Sequence, residues 1–248
     1  MNTSRPWPEG KTCAVSLTYD DAFTSHWSEV APELERRGFR GTFYTPIRAV
    51  FWEHAEEWRQ VASKGHELGN HTVFHPCRRP VDGPTYDTFD RNDLSRYTLD
   101  EFRGEVEVAN AFLKLIDGRS ERTYGNTCHN TTVGRGEAET SLTPVLQELF
   151  PAARGARRGG FVSSELPGLD FYELGCVSSH SFADLKLAID HALESGGWLV
   201  ICLHGVAEKE ERLQIARSEH TALLDYLAQK SQAWVAPVYD VAVRLRAE

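Results

Sequence analysis

The sequence predicts an α/β fold with a largely parallel sheet in one domain, and three observations predict it. Short apolar runs of strand character alternate with longer amphipathic segments, the pattern of repeated strand–helix units. The chain has 248 residues, a size at which α/β barrels commonly remain undivided. No internal repeat, low-complexity tract or linker interrupts it, so a single domain over residues 1–248 is expected.

The elements follow in order. Residues 13–18 read as a short buried strand that ends at Tyr19-Asp20-Asp21. Residues 28–37 read as a helix through Val30 and Leu34, stopped by Gly38. Residues 41–45 give a second strand, closed by Pro46. Residues 53–64 form an amphipathic helix with Trp58 and Val61 on one side, and 66–70 lead as a strand to His71. Residues 76–98 lack periodicity and read as a long loop, a length often tied to function. Thr98 and Glu101 form a capping-box pattern that opens a helix to Ile116. Further helices are expected at 142–149, 183–195 and 209–230, with strands at 198–203 and 233–236.

Composition limits the function classes. Hydrophobic residues at 41% and charged residues at 25% are ordinary for a soluble globular protein. The formal charge of −9 argues against a nucleic-acid partner. The one basic cluster, Arg154-Gly155-Ala156-Arg157-Arg158, reads as a solvated turn. The five cysteines (13, 77, 128, 176 and 202) contain no CxxC pair, and reduced thiols are expected. The first eleven residues do not resemble a signal peptide, and nothing approaches a transmembrane length. A cytoplasmic location without a membrane partner is therefore expected, with export after removal of a leader as the alternative. The oligomeric state is left open.

Chemistry concentrates in two places. The tandem carboxylate Asp20-Asp21 leaves a strand end, and His71 and His75 stand four residues apart. A catalytic zinc site typically uses three protein ligands and keeps a position open. Asp21, His71 and His75 supply such a set, and Asp20 is left to act as a base. Read alone, the aspartates could cap the next segment and the histidines could settle at a helix end.

Three segments together carry a resemblance. Thr18-Tyr19-Asp20-Asp21, the stretch Gly65 to Pro76, and Leu199-Val200-Ile201-Cys202-Leu203-His204 resemble successive motifs of the polysaccharide deacetylases, carbohydrate esterases that remove acetyl groups from sugars. The likeness extends from about residue 12 to residue 241. It implies a distorted or incomplete (β/α) barrel of the polysaccharide deacetylase type. It also implies metal ligation by Asp21, His71 and His75, with Asp20 as general base and His204 as general acid. Zinc is the implied divalent metal, with cobalt, nickel or manganese able to use the same donors. An acetylated carbohydrate, O- or N-linked, is the implied partner.

Two motifs depart from the family. Arg122-Thr123-Tyr124-Gly125-Asn126 lacks the proline and has its arginine one position closer. Tyr124 is expected to offer its backbone N–H to an oxyanion, and Arg122 is the candidate to orient Asp20. Asn126, His129 and Asn130 could add polar contacts or form a surface turn. The aspartate–tryptophan pair that orients the catalytic histidine has no counterpart, and His180 in Ser178-Ser179-His180-Ser181 is the candidate in that region. Phe23, Trp27, Tyr44, Trp52 and Tyr86 are aromatic candidates for sugar contact, with Tyr44 and Trp52 reading equally as core. Two alternatives stand beside the main reading: a related amidohydrolase acting on a small non-sugar substrate, and a catalytically weak carbohydrate-binding relative.

Overall fold

The computed structural model describes residues 6–78, 92–158, 162–163 and 168–247. Seven parallel strands form the frame: β1 Cys13–Asp20, β2 Thr42–Thr45, β3 Glu67–Asn70, β4 Tyr124–Gly125, β5 Ala153–Arg158, β7 Leu174–Cys176 and β8 Trp198–Leu203. A short antiparallel strand, β6 Val162–Ser163, lies on β8, and β9 Ala233–Val235 pairs with the first residues of β1. The sheet runs β6-β8-β1-β2-β3-β4-β5-β7. Just past β7, Val177 bridges to Ile201 of β8, with Val177 N–H donating to Val200 O and Cys202 N–H to Val177 O. The strands thereby curl into a nearly closed barrel, as the sequence predicts.

Period-two alternation explains how β1 serves two environments. Val15, Leu17 and Tyr19 pack against the helices outside, while Ala14 meets Trp198, Val200 and Cys202 of β8 on the other face. Ser16, Thr18 and Asp20 share the face of Ala14. Ser16 accepts from Trp198 Nε1, and Thr18 donates to Ile201 O. Asp20 is therefore the last residue of β1 to point into the barrel, at its carboxyl end.

The helices are α1 Ala31–Arg36, α2 Ala49–Glu53, α3 Ala55–Ser63, α4 Leu99–Asp117, α5 Thr143–Leu149, α6 Phe182–Ser195, α7 Arg217–Ala228 and α8 Val238–Arg246. Leu34, Trp58, Leu113, Ile189 and Leu223 bring α1, α3, α4, α6 and α7 into the outer core. The capping box is present: Glu101 N–H donates to Thr98 Oγ1, and Thr98 N–H donates to Glu101 Oε2. α8 closes the amino end, where Val238 N–H meets Thr42 and Tyr239 N–H meets Glu67.

Several boundaries differ from expectation for physical reasons. The first helix opens with a π turn at His26–Val30, ahead of a proline early in α1. The second breaks at His54, giving α2 and α3. The helix expected over 209–230 begins only at Arg217, because Gln214–Ala216 pairs as a strand with Gly205–Ala207. The strand β5 replaces the solvated turn expected at Arg154–Arg158. Much of the 76–98 loop, including Tyr86, lies outside the described residues.

Candidate active site

All the ligand and acid–base candidates of the first, second and last motifs meet at the carboxyl end of the barrel. Asp20 and Asp21 diverge because Asp20 still belongs to β1, whereas Asp21 adopts a left-handed backbone at φ 77°. His71 and His75 come from the loop after β3, and His204 follows β8 directly. His75 Nε2 lies 3.1 Å from Asp21 Oδ1, His71 Nε2 lies 3.7 Å from it, and His204 Nε2 lies 4.0 Å from Asp21 Oδ2. The ligand atoms of Asp21, His71 and His75 all lie within 4.8 Å of one another.

The backbone here is strained. The six described non-glycine residues with positive φ are Asp21, Ala22, Thr72, His75, Cys128 and His129, all in loops at this end of the barrel. The histidine loop is held by side chains that sequence reading missed. Glu105 of α4 accepts the N–H groups of Val73 and Phe74 at 3.1 and 3.2 Å, and Tyr97 donates to its other oxygen. Thr72 Oγ1 accepts from His75 N–H. Asn70 anchors the loop's start to α4 through Val106 O and Asn110.

Protonation states follow from these contacts. His71 is buried, which pushes its pKa down to about 4 against the opposing charge of Asp20, so the ring is neutral near pH 7. His71 Nδ1 lies 2.7 Å from the carbonyl of Gly125, which fixes the N–H there and leaves the Nε2 lone pair toward Asp21. Burial would raise the Asp21 carboxyl, but the rings of His75 and His71 hold it well below the usual carboxylate range. Asp21 Oδ1 is buried and receives no well-aligned hydrogen bond from the described residues. Two imidazoles and a carboxylate that turn acceptors toward one another fit a divalent cation.

Asp20 has a different partner from the one expected. Arg154 of β5, 1% exposed, reaches Asp20 Oδ1 and Thr18 Oγ1 at 2.8 Å each and also bonds Asp20 Oδ2. Burial pushes the Asp20 carboxyl up, but Arg154 above all, then His71, bring it to about 2. The guanidinium lies 4.8 Å above the Tyr44 ring, and Gly69 and Gly125 make room for that ring, since a Cβ on either would come within 2.7 Å of it. Tyr44 is thus a fully buried support inside the barrel, not a sugar platform.

Arg122 and Tyr124 are corrected. Arg122 lies two residues before β4, at the amino end, and its guanidinium bonds Asp117 at 2.9 Å and the carbonyls of Leu68 and Arg119. A residue entering a parallel strand cannot reach Asp20, which leaves one. The backbone N–H of Tyr124 donates to Ala152 O within the sheet, so it is not available to an oxyanion, and its ring packs against Phe102 and Phe150. In the same strip, Asn126 is 2% exposed, and its amide has no hydrogen-bond partner among the described residues. Asn130 instead accepts from Arg78 N–H.

His180 pairs with Glu210 at 3.2 Å in a separate polar depression with Ser179, Ser218 and Glu219. It does not join the Asp21 group. Buried His26, not expected to matter, sets its Nε2 3.0 Å from the carbonyl of His204 and so fixes the turn that carries it. Among the described residues, Asp21 is the one carboxylate within 4.0 Å of the His204 ring nitrogens. Beside Asp21 lies a depression of about 450 Å³ lined by Phe23, Pro46, Arg48, Phe51 and Leu213. Phe23 therefore borders the site, whereas Trp27 packs on His54 and Trp52 on Phe112. The reduced-thiol expectation is also corrected: Cys77 and Cys128 form a disulfide, with Cα atoms 5.6 Å apart.

Comparison with known proteins gives a consistent picture. A sequence model described as "Polysaccharide deacetylase" matches residues 8–132. A Mycobacterium smegmatis protein assigned as a polysaccharide deacetylase has a similar structure, with a TM-score of 0.68, 16% identity, and coverage of 97% of this chain and 92% of that one. The CE4 domain of a multidomain xylanase from a Trinervitermes trinervoides hindgut metagenome gives 0.56, 14%, 95% and 91%. A CE4 family pseudoenzyme of Bacillus anthracis gives 0.54, 12%, 94% and 66%. Among curated sequences, a gellan lyase of a Bacillus species is 33% identical over 69 residues, a stretch that spans 28% of this chain and 3% of that protein.

Proposed function

This chain belongs to the polysaccharide deacetylase family, and from that premise we propose that it is a metal-dependent hydrolase that removes acetyl groups from a carbohydrate. The observation that carries the reading is the convergence of Asp21, His71 and His75, with Asp20 beside them under Arg154 and His204 across from Asp21.

Asp21, His71 and His75 would hold a divalent cation, zinc by its donor set, which polarises a carbonyl and acidifies a water. Asp20 accepts a proton from the water that attacks the acetyl carbon. Arg154 keeps that carboxylate ionised and aimed. With a pKa of about 2, Asp20 is a weak base toward bulk water, so the reading requires an occupied ligand set. His204 gives a proton to the departing sugar oxygen or nitrogen as its bond to the acyl carbon breaks, and acetate leaves.

The test is acetate release from acetylated xylan, chito-oligosaccharides and an aryl acetate, with chelator and with added zinc. Chelator-sensitive release that zinc restores supports the reading, and the polymer hydrolysed separates ester from amide chemistry. No release by zinc-loaded protein would favour the second reading, a catalytically weak relative. One observation favours that alternative: among the described residues, no carboxylate other than Asp21 lies within 4.0 Å of the His204 ring nitrogens to orient them.

A further inference from the structure

His75 presents its ring to two groups of ligand atoms. Its Nε2 lies 3.1 Å from Asp21 Oδ1, on the side shared with His71. Its Nδ1 lies 3.7 Å from Cys77 Sγ. Cys128 completes this second group, in which the ligand atoms of His75, Cys77 and Cys128 lie within 4.8 Å of one another. In the disulfide neither sulfur is a thiolate, the form that ligates metals. The bridge also ties together two strained segments, with His75 at φ 54° and Cys128 at φ 50°. Cys128 is exposed and Cys77 half-buried, so an external thiol can reach the bond.

We propose that reduction of the Cys77–Cys128 disulfide opens an alternative metal site, built from both sulfurs and His75 Nδ1, which withdraws His75 from Asp21 and His71. The reductant is a dithiol. Its thiolate attacks the Cys128 sulfur, the S–S bond breaks, and Cys77 leaves as a thiolate. The second thiol of the reductant then resolves the mixed disulfide, so the protein gains two electrons and two protons and the dithiol becomes a disulfide. A zinc-like cation displaces the two thiol protons as it binds.

The two sites compete through one ring. A neutral imidazole carries a single N–H and a single lone pair. When Nδ1 ligates, the proton resides on Nε2, and the Asp21 group loses its third donor. Two thiolates and an imidazole form a softer set than a carboxylate and two imidazoles, so a thiophilic cation takes the reduced site. A reducing compartment would therefore keep the ion away from the Asp21 group, and oxidation would return His75 to it. The inference uses the hydrolase reading only for this consequence; the thiolate site itself is detectable without turnover.

Cobalt tests it by absorption. Metal-free full-length chain is loaded with Co²⁺ in its oxidised form and after dithiol treatment and anaerobic desalting. Thiolate-to-cobalt charge-transfer absorption in the near ultraviolet is expected only in the reduced protein. The band should vanish in Cys77→Ser and in Cys128→Ser and persist in His71→Ala. Cobalt binding by oxidised protein, read by competition with a chromogenic chelator, should be lost in His71→Ala. The inference fails if reduced wild-type protein shows no band, if the band needs His71, or if dithiol treatment exposes no new thiols. The wild-type comparison stands even if a serine variant folds poorly.

Discussion

The barrel buries charge at both ends, and the two ends handle it differently. At the amino end, Glu67 accepts from the hydroxyls of Thr42 and Thr123 and from the N–H groups of Thr123 and Tyr239. Arg122 there is divided between Asp117 and two carbonyls. At the carboxyl end, Asp20 is clasped by Arg154, but Asp21 Oδ1 has no aligned donor among the described residues and His71 Nε2 faces it with a lone pair. The positive-φ residues gather at this end as well. Buried charge does not by itself mark a functional site. Acceptors left facing one another in strained backbone do, because burial of unpaired polar groups is costly unless a ligand completes them.

The largest effect that would break this contrast is expected at Asp20. Asp20→Asn keeps the side-chain shape and one of the two hydrogen bonds from Arg154, with its amide nitrogen facing the other guanidinium N–H, and cannot take a proton. Turnover should fall by about 10²–10⁴-fold, the range typical of general base catalysis, with the metal retained. Steady-state kinetics beside metal analysis checks it, and unchanged turnover would remove Asp20 from the base role.

The two buried arginines give the next test, since each is 2% exposed or less and each pairs with an aspartate. Arg122→Gln and Arg154→Gln should each destabilise the fold by about 3–5 kcal/mol, because either leaves a buried carboxylate without its partner. Only Arg154→Gln should alter the chemistry. Burial raises the Asp20 carboxyl and Arg154 is the main force that lowers it, so its loss moves the acid limb of kcat/KM to higher pH. Urea denaturation and pH–rate profiles separate the two. Equal profiles would mean that the ends are equivalent.

Acid sharpens the comparison, because both ends hold buried neutral histidines. Burial lowers His26 and His220 from the ordinary 6.5 to about 4, and His66 to about 3. As pH falls through 6.5 the unfolded chain takes up protons that the folded chain refuses until about 4. Stability of the chelated protein should therefore decline between pH 6.5 and 4, by about 3 kcal/mol per histidine at most over the full window, and keep declining below it as His66 and then Asp20 take up their protons. A urea midpoint that stays flat across that window would contradict it. At the amino end, His66→Gln should flatten the curve without changing metal affinity.

Much of this architecture was legible in the sequence, and the exceptions have a common cause. The apolar run that ends in Asp20-Asp21, the His71–His75 spacing and the strand before His204 are local patterns. They marked three strand ends that the barrel brings together. Arg154 was hidden because an arginine-rich run imitates a solvated turn, and its contact with Asp20 crosses 134 residues. The disulfide crosses 51. Arg122 misled in the opposite direction: motif order placed it near the site, whereas its position before β4 puts it at the far end. Glu105 lies on a helix whose amphipathic pattern was clear, but nothing local shows that it receives the amides of the loop after β3, 31 and 32 residues earlier in the chain.

That last residue gives the smallest test of the contrast. Glu105 makes no contact with the Asp21 group, yet it holds the N–H groups of Val73 and Phe74 between the two histidines. Without it, the loop that keeps Thr72 and His75 at positive φ loses its tie to α4. Glu105→Ala should weaken cation binding by about 10–100-fold, the usual effect of removing a partner that orients metal ligands. Glu105→Gln should restore much of the loss, because both loop N–H groups donate to one oxygen, which the amide retains, and only the acceptor for Tyr97 is lost. Global stability should change far less than in Arg122→Gln, since Tyr97 and the loop amides turn to water. Competition with a chromogenic chelator measures the affinity. An unchanged value would show that strain at this end is borne by the strands themselves and not by the helix beside them.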